Sequence, residues 1–180
     1  MKRSTNTNTK TLDLLKVYKQ NSNITFKPMG IWYGIDDEWL RWMKGNMNHW
    51  VRPYNIEIDV EESKMLIIST IPQLDAFIKK YHKRGSEFEF MGEINWKRVA
   101  KDYSGIEIQN YYELKWGDYP YRMGAMWFHG WDVSSGCIWD LSIIKNQKLE
   151  QKNHKKNGKV YQQRLERENA SCDRKDENVT

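Results

Sequence analysis

At 180 residues the chain suits one domain with room for a tail, and although only 39% of it is hydrophobic, nine Trp and ten Tyr supply large buried areas per side chain. No apolar run approaches the roughly 20 residues of a spanning helix, and the opening MKRSTNTNTK lacks the apolar stretch of a secretory signal. Cys137 and Cys172 give no disulfide framework, so a cytoplasmic, reducing setting is expected. The net charge is +5, but from residue 146 onward there are 9 Lys or Arg against 6 Asp or Glu, and before it 20 against 18. The basicity is therefore mostly in the tail. Such a run is suited at most to weak contact with nucleic-acid phosphates and is commonly only solvated.

In chain order, residues 1–11 are polar and Asn/Thr-rich and are expected to be disordered. The stretch LDLLKVYK, 12–19, reads as a strand, and FKPMGIWYGI, 26–35, as a second one. Asp36 or Asp37 is placed to cap a helix starting at Glu38, whose Trp39, Trp42 and Met43 fall on one face. YNIEIDV, 54–60, alternates Ile56, Ile58 and Val60 with acidic residues, and KMLIIS follows closely enough to suggest a hairpin.

Thr70 caps the next predicted helix, in which Leu74, Phe77, Ile78 and Tyr81 keep a helical period. Residues 82–93 read as a loop or short edge strand. Asn95 caps a further helix with Trp96, Val99, Ala100 and Tyr103 on its buried side, and SGIEIQ is a strand. The stretch NYYELKWGDYPYRMG, 110–124, is an aromatic loop that either lines a pocket for a flat ring or covers a core edge. GAMWFHGWDVSSGCIWD, 124–140, supplies one or two last strands, beside the strand at 30–34. The order of elements is not a regular βαβ alternation. It implies an α+β domain over 12–145, an antiparallel or mixed sheet with short helices packed on it, followed by a charged tail, 146–180.

Chemistry-bearing residues are sparse. His49, His82 and His129 have no Cys or His at ligand spacing and His154 lies in the tail, so no metal site is expected. His129 and Cys137 could meet across a hairpin as base and nucleophile, but a packed Cys beside Ile138 is the plainer reading. Trp39 and Trp42 fit a core better than a base-stacking platform, because Asp36, Asp37 and Glu38 beside them would repel phosphate.

The stretch KVYK, then GIWYGIDDEWLRWM, then VAKDYSGIEI and GWDVSSGCIWDLSIIK resembles, in that order over residues 14–145, the small bacterial and phage-type members of the ADP-ribosyltransferase-like fold. The resemblance implies NAD as co-substrate and transfer of ADP-ribose to a protein or nucleic acid. It places Lys19 where the family's first Arg or His contacts the cofactor, and Trp32, Tyr33 and Gly34 at the strand that shapes the nicotinamide pocket. Asp132 is the acidic residue nearest the family's catalytic Glu. Lys19 lacks the planar fork of Arg, Gly34 has no hydroxyl, and Asp132 is one methylene shorter than Glu.

The implied chemistry is consistent with these residue types. Cleaving the nicotinamide–ribose bond develops positive charge that a carboxylate stabilises, an aromatic face holds nicotinamide, and a cation holds pyrophosphate. On this reading Asp132 and Tyr33 are catalytic, and Lys19, Trp32, Tyr33 and Gly34 bind the cofactor. The alternatives are a non-catalytic member of the same fold that binds a partner or ligand, and a nucleic-acid-binding protein. The plainest alternative for the site is that Asp132 caps a turn and Trp32 is core.

Overall fold

The computed structural model describes residues 1–21, 26–83, 93–116 and 126–150. Seven strands form one mixed sheet in the order β4-β5-β6-β2-β1-β3-β7. They are β1 Arg3–Thr7, β2 Ile31–Ile35, β3 Tyr54–Val60, β4 Met65–Ile68, β5 Gly105–Ile108, β6 Ser135–Ile138 and β7 Ile144–Glu150. The helices are α1 Glu38–Asn46, α2 Ile71–Tyr81, α3 Trp96–Asp102, α4 Tyr111–Trp116 and α5 Met126–His129. The pair β4–β5 is parallel and the other pairs are antiparallel. A parallel pair needs a crossover, and α2 and α3 lie in the chain between those two strands. Among the described residues no helix is long and apolar enough to cross a membrane.

Several elements follow from local chemistry. Thr70 starts α2 with a reciprocal cap: its hydroxyl accepts from the Gln73 amide, and the Gln73 side chain accepts from the Thr70 amide. Leu74, Phe77 and Tyr81 of α2 are buried, as their spacing predicts. Asn95 caps α3 by accepting from the Arg98 amide at 3.0 Å. At α1 the N-cap is Asp37, but it is left-handed, with φ of 65°, and its side chain makes no cap bond.

Cross-strand partners share a face of the sheet. Tyr33, Ile56, Ile58, Val60, Met65 and Ile138 build an apolar cluster on one face. Ile68, Ile106, Ile108 and Cys137 build a second on the other, against α2, α3 and the Trp127–Trp131 region. Every residue of β5 and β6 is buried, because both faces of these strands are covered.

The sheet curls. In a flat sheet β3 and β4 would lie five strand spacings apart, about 24 Å. Residues 61–64 join them and reach about 17 Å even when extended. The connector is held at both ends: the Glu61 amide donates to the Ile143 carbonyl and the Ser104 amide to the Lys64 carbonyl, each at 2.9 Å. The expected hairpin between β3 and β4 is therefore absent, and β4 pairs with β5 instead.

Other expectations are corrected. Residues 3–7 are not disordered; they form β1, between β2 and β3, where main-chain bonding on both sides takes the place of apolar side chains. Residues 12–19 do not form a strand. They cross the first apolar face as an irregular strap, with Leu12 buried, Leu15 exposed and one bridge at Val17 to Asp140. The Gln147 side chain accepts from the Leu12 amide at 2.7 Å and donates to its carbonyl at 3.1 Å.

Residues 146–150, expected in the tail, belong to β7, which pairs with β3 along the sheet edge. Residues 111–116 and 126–129 are helical rather than loop and strand. The expected loop at 84–92, the middle of the aromatic segment and the tail from residue 151 lie outside the described residues.

Candidate functional site

The most concentrated polar chemistry is inside the curled sheet. Glu107 of β5 is fully buried. Its Oε2 accepts from Arg3 Nε and from the Tyr33 hydroxyl, both at 2.6 Å. Its Oε1 accepts from Arg3 Nη2 at 3.1 Å and from Gln109 Nε2 at 2.6 Å. Arg3 Nη2 also donates to Glu62 Oε1 at 2.6 Å, on the connector between β3 and β4. Three strand-borne or strand-adjacent side chains thus converge on one carboxylate through four hydrogen bonds.

The electrostatics follow. Burial alone would raise the Glu107 pKa, but hydrogen bonds from Arg3, Tyr33 and Gln109 overcome it and hold the carboxyl below the usual glutamate range. Burial first, then the neighbouring Glu107 charge, pushes the Tyr33 phenol well up, so it remains a donor. Arg3 stays charged because its two carboxylate partners outweigh its burial.

The residues expected from the sequence are placed as follows. Tyr33 belongs to this cluster. Trp32, its neighbour on β2, faces the other side and meets Trp131 edge-on at 4.7 Å between ring centroids. Lys27 lies over the Trp32 ring at 5.2 Å and pairs with Asp132 at 3.6 Å. The fold therefore brings Trp32 and Asp132 together around Lys27 but sets them apart from the Tyr33 hydroxyl. Lys19 is an exposed residue of the strap. Gly34 is where β2 touches α1, since a Cβ there would overlap Trp39 Cβ. Cys137 is buried, its thiol pushed well up by burial, and its nearest hydrogen-bonding atom is the Pro28 carbonyl at 3.8 Å. Among the described residues no cluster of three His, Cys, Asp or Glu is arranged to hold a metal ion.

A second feature is an aromatic ledge at the surface. Trp39 and Trp42 stack with 5.1 Å between centroids and 7° between planes, and Trp50 tilts against both. Trp42 then forms one wall of a groove of about 370 Å³, lined also by Glu38, Arg41, Asn46, Tyr112 and Val133. Glu38 Oε2 accepts from the Ser134 amide at 3.1 Å, which ties α1 to the approach to β6. The arrangement offers two aromatic walls, Trp42 and the half-exposed Tyr112. A carboxylate, a guanidinium and an amide lie between them.

No protein-family model matches the chain, and neither a curated protein nor a solved structure does.

Arg3 and Glu107 were not singled out by sequence reasoning. Arg3 stands in a polar run with no period. Glu107 carried the better signal, a single charge inside the otherwise apolar strand GIEI that sits between α3 and α4. Tyr112 lies in the aromatic stretch for which a ring-binding pocket is one of the two sequence readings.

Proposed function

We propose that the chain is a non-catalytic, ligand-binding protein of the ADP-ribosyltransferase-like kind, and that it holds a flat ring in the groove between Trp42 and Tyr112. The observation that carries the first half is the state of Glu107. Its two oxygens already accept four hydrogen bonds inside a closed cluster. A carboxylate that stabilises a developing ribosyl cation must face the substrate, and this one faces Arg3, Tyr33 and Gln109. Asp132, the other carboxylate of interest, neutralises Lys27 across the sheet from Tyr33.

The groove supports the second half. Rings stack on aromatic side chains with little demand on the ring's identity. Glu38 and Asn46 can accept from a ring amine, and Arg41 can donate to a carbonyl or phosphate. A nucleoside or the adenine end of a dinucleotide has this chemistry.

A second reading, NAD turnover, is favoured by one observation: an Arg, a Tyr and a Glu from three strands meet at one point. These are the cation, aromatic and carboxylate that the chemistry requires. Turnover would need the cluster to open.

Calorimetry with adenosine, ADP-ribose and NAD tests the proposal, together with an assay of NAD consumption. The expected result is binding of at least one of them, weakened about tenfold or more by Trp42→Ala, with no NAD consumed. NAD consumption abolished by Glu107→Gln in a folded variant would overturn it in favour of turnover. Binding unaffected by Trp42→Ala and Tyr112→Ala would remove the groove.

A further inference from the structure

Charge on the described surface is unevenly placed. Residues 1–145 hold 20 Lys or Arg and 18 Asp or Glu, close to balance. Yet the last turn of α2, the residues just after it, and α3 present six cations, Lys79, Lys80, Lys83, Lys97, Arg98 and Lys101. Among the described residues two carboxylates, Glu93 and Asp102, form ion pairs with them, through Lys83 at 3.5 Å and Lys80 at 2.9 Å. Lys79, Lys97 and Lys101 form no ion pair among the described residues.

This charge surrounds a cavity of about 480 Å³ lined by Lys79, Lys80, His82, Lys83, Asn95 and Arg98. Its frame is fixed by the main chain. His82 bridges to Ile94, the Lys83 amide donates to the Glu93 carbonyl at 2.8 Å, and the Asn95 amide donates to the Tyr81 carbonyl at 2.9 Å. The buried Tyr81 ring anchors the cations, with Lys80 over it at 4.8 Å and Arg98 at 5.8 Å. Tyr81 donates its hydroxyl to Asp102 at 2.5 Å, and the same carboxylate pairs with Lys80. Asp102 is thereby occupied by Tyr81 and Lys80, with Arg98 within electrostatic reach of it, and Lys79 and Arg98 line the cavity without an ion pair of their own among the described residues.

We propose that this cleft binds the phosphate backbone of a nucleic acid. Like-charged side chains held close together repel one another, and an anion relieves that repulsion. A single phosphate would engage only part of a set distributed over two helices and the residues between them. A chain of phosphates engages more, and each contact releases condensed counterions. The cavity presents ammonium, guanidinium and amide donors, which suit phosphate oxygens. The cleft's lining residues lie on α2, α3 and the residues flanking them, and it does not depend on the Trp42 groove.

The test is fluorescence anisotropy on the full chain with a labelled 20-nucleotide oligothymidylate and a duplex of equal length, over a salt series. Lys79→Glu/Arg98→Glu is compared with Lys145→Glu/Lys148→Glu, which changes the net charge equally on the exposed β7 edge. The expected result is binding of both probes at low salt. The first pair should weaken it at least tenfold and flatten the slope of log affinity against log salt by about 2, and the second pair less than about threefold. Lys97→Glu/Lys101→Glu, on the exposed side of α3, repeats the test if the first pair fails to fold by circular dichroism. Equal losses from the cleft and the β7 edge, no binding by wild type at low salt, or equal competition by polyglutamate would each overturn the proposal.

Discussion

Tyr33 on β2 donates its hydroxyl to Glu107 on β5, across the intervening strand β6, at 2.6 Å. The path is open because the β6 residue paired with both of them is Gly136. A Cβ at Gly136 would lie inside the contact radius of the Tyr33 ring and hydroxyl. Gly136→Ala should therefore displace the ring and leave Glu107 one donor short. Overpacking commonly costs about 1–3 kcal/mol, and the lost bond to a buried charge adds to it. Urea denaturation measures the loss. If Gly136→Ala costs under about 0.5 kcal/mol, the close approach of Tyr33 to β6 is wrong.

Arg3 makes the N-terminal strand part of the core's electrostatics. Removing it leaves Glu107 buried beside two neutral donors. Arg3→Met should cost about 3–5 kcal/mol, the usual penalty for stranding one member of a buried pair. The double variant Arg3→Met/Glu107→Leu removes both charges and should recover part of that loss. A double variant as unstable as the sum of its singles would show that the pair is not coupled. Deleting residues 1–7 should be worse than either, since β2 and β3 would lose the strand between them.

Glu107 also gives a pH signature. Its folded pKa lies below the ordinary value, so the folded state favours the ionised form. That contribution is fully present above the unfolded glutamate pKa of about 4.3 and is lost as the pH falls through the depressed folded value. Thermal melts between pH 7 and pH 3 should show wild type losing more stability than Glu107→Gln. Parallel loss in the two proteins would mean that Glu107 does not titrate as this network requires.

Parts of this architecture were legible in the sequence for clear reasons. Ile56, Ile58 and Val60 alternate because only one side of β3 meets the core, and Thr70 with Gln73 encodes a cap in four residues. The pairing of β2 with β6 was expected and is found. β1 was not legible, because its place depends on partners on both sides and on an ion network with Glu107, 104 residues away. The curl of the sheet was hidden too: a four-residue connector usually signals a hairpin, and only the non-local pairing of β4 with β5 shows otherwise. Among the candidate site residues, Trp32 and Asp132 come together around Lys27, whereas Tyr33 turns to the opposite face. Adjacent strand residues point to opposite sides, and no composition argument says which side is the cleft.

Asp132 and Asp140 bound the last strand-like stretch, and the structure assigns them different work. Asp132 has a left-handed backbone, φ of 71°, and a half-exposed side chain paired with Lys27. An ion pair so open to water contributes about 0–1 kcal/mol, and Asn tolerates the left-handed region. Asp132→Asn should change stability by less than about 1 kcal/mol. Asp140 instead starts the 3-10 turn at Leu141–Ile143, where Oδ1 accepts from the Ser142 amide at 3.1 Å and its hydroxyl at 2.7 Å. That turn positions Leu141 and Ile143 in the apolar cluster and leads directly into β7. Asp140→Ala should cost about 1–2 kcal/mol, the range for losing a helix cap, while Asp140→Asn, which keeps an acceptor oxygen, should recover much of that loss. Urea midpoints for the three variants, each measured at neutral pH, decide the assignment. A larger loss from Asp132→Asn than from Asp140→Ala would mean that the Lys27 pair holds more of the structure than its exposure allows, and that the Trp32 face is tied down through Asp132.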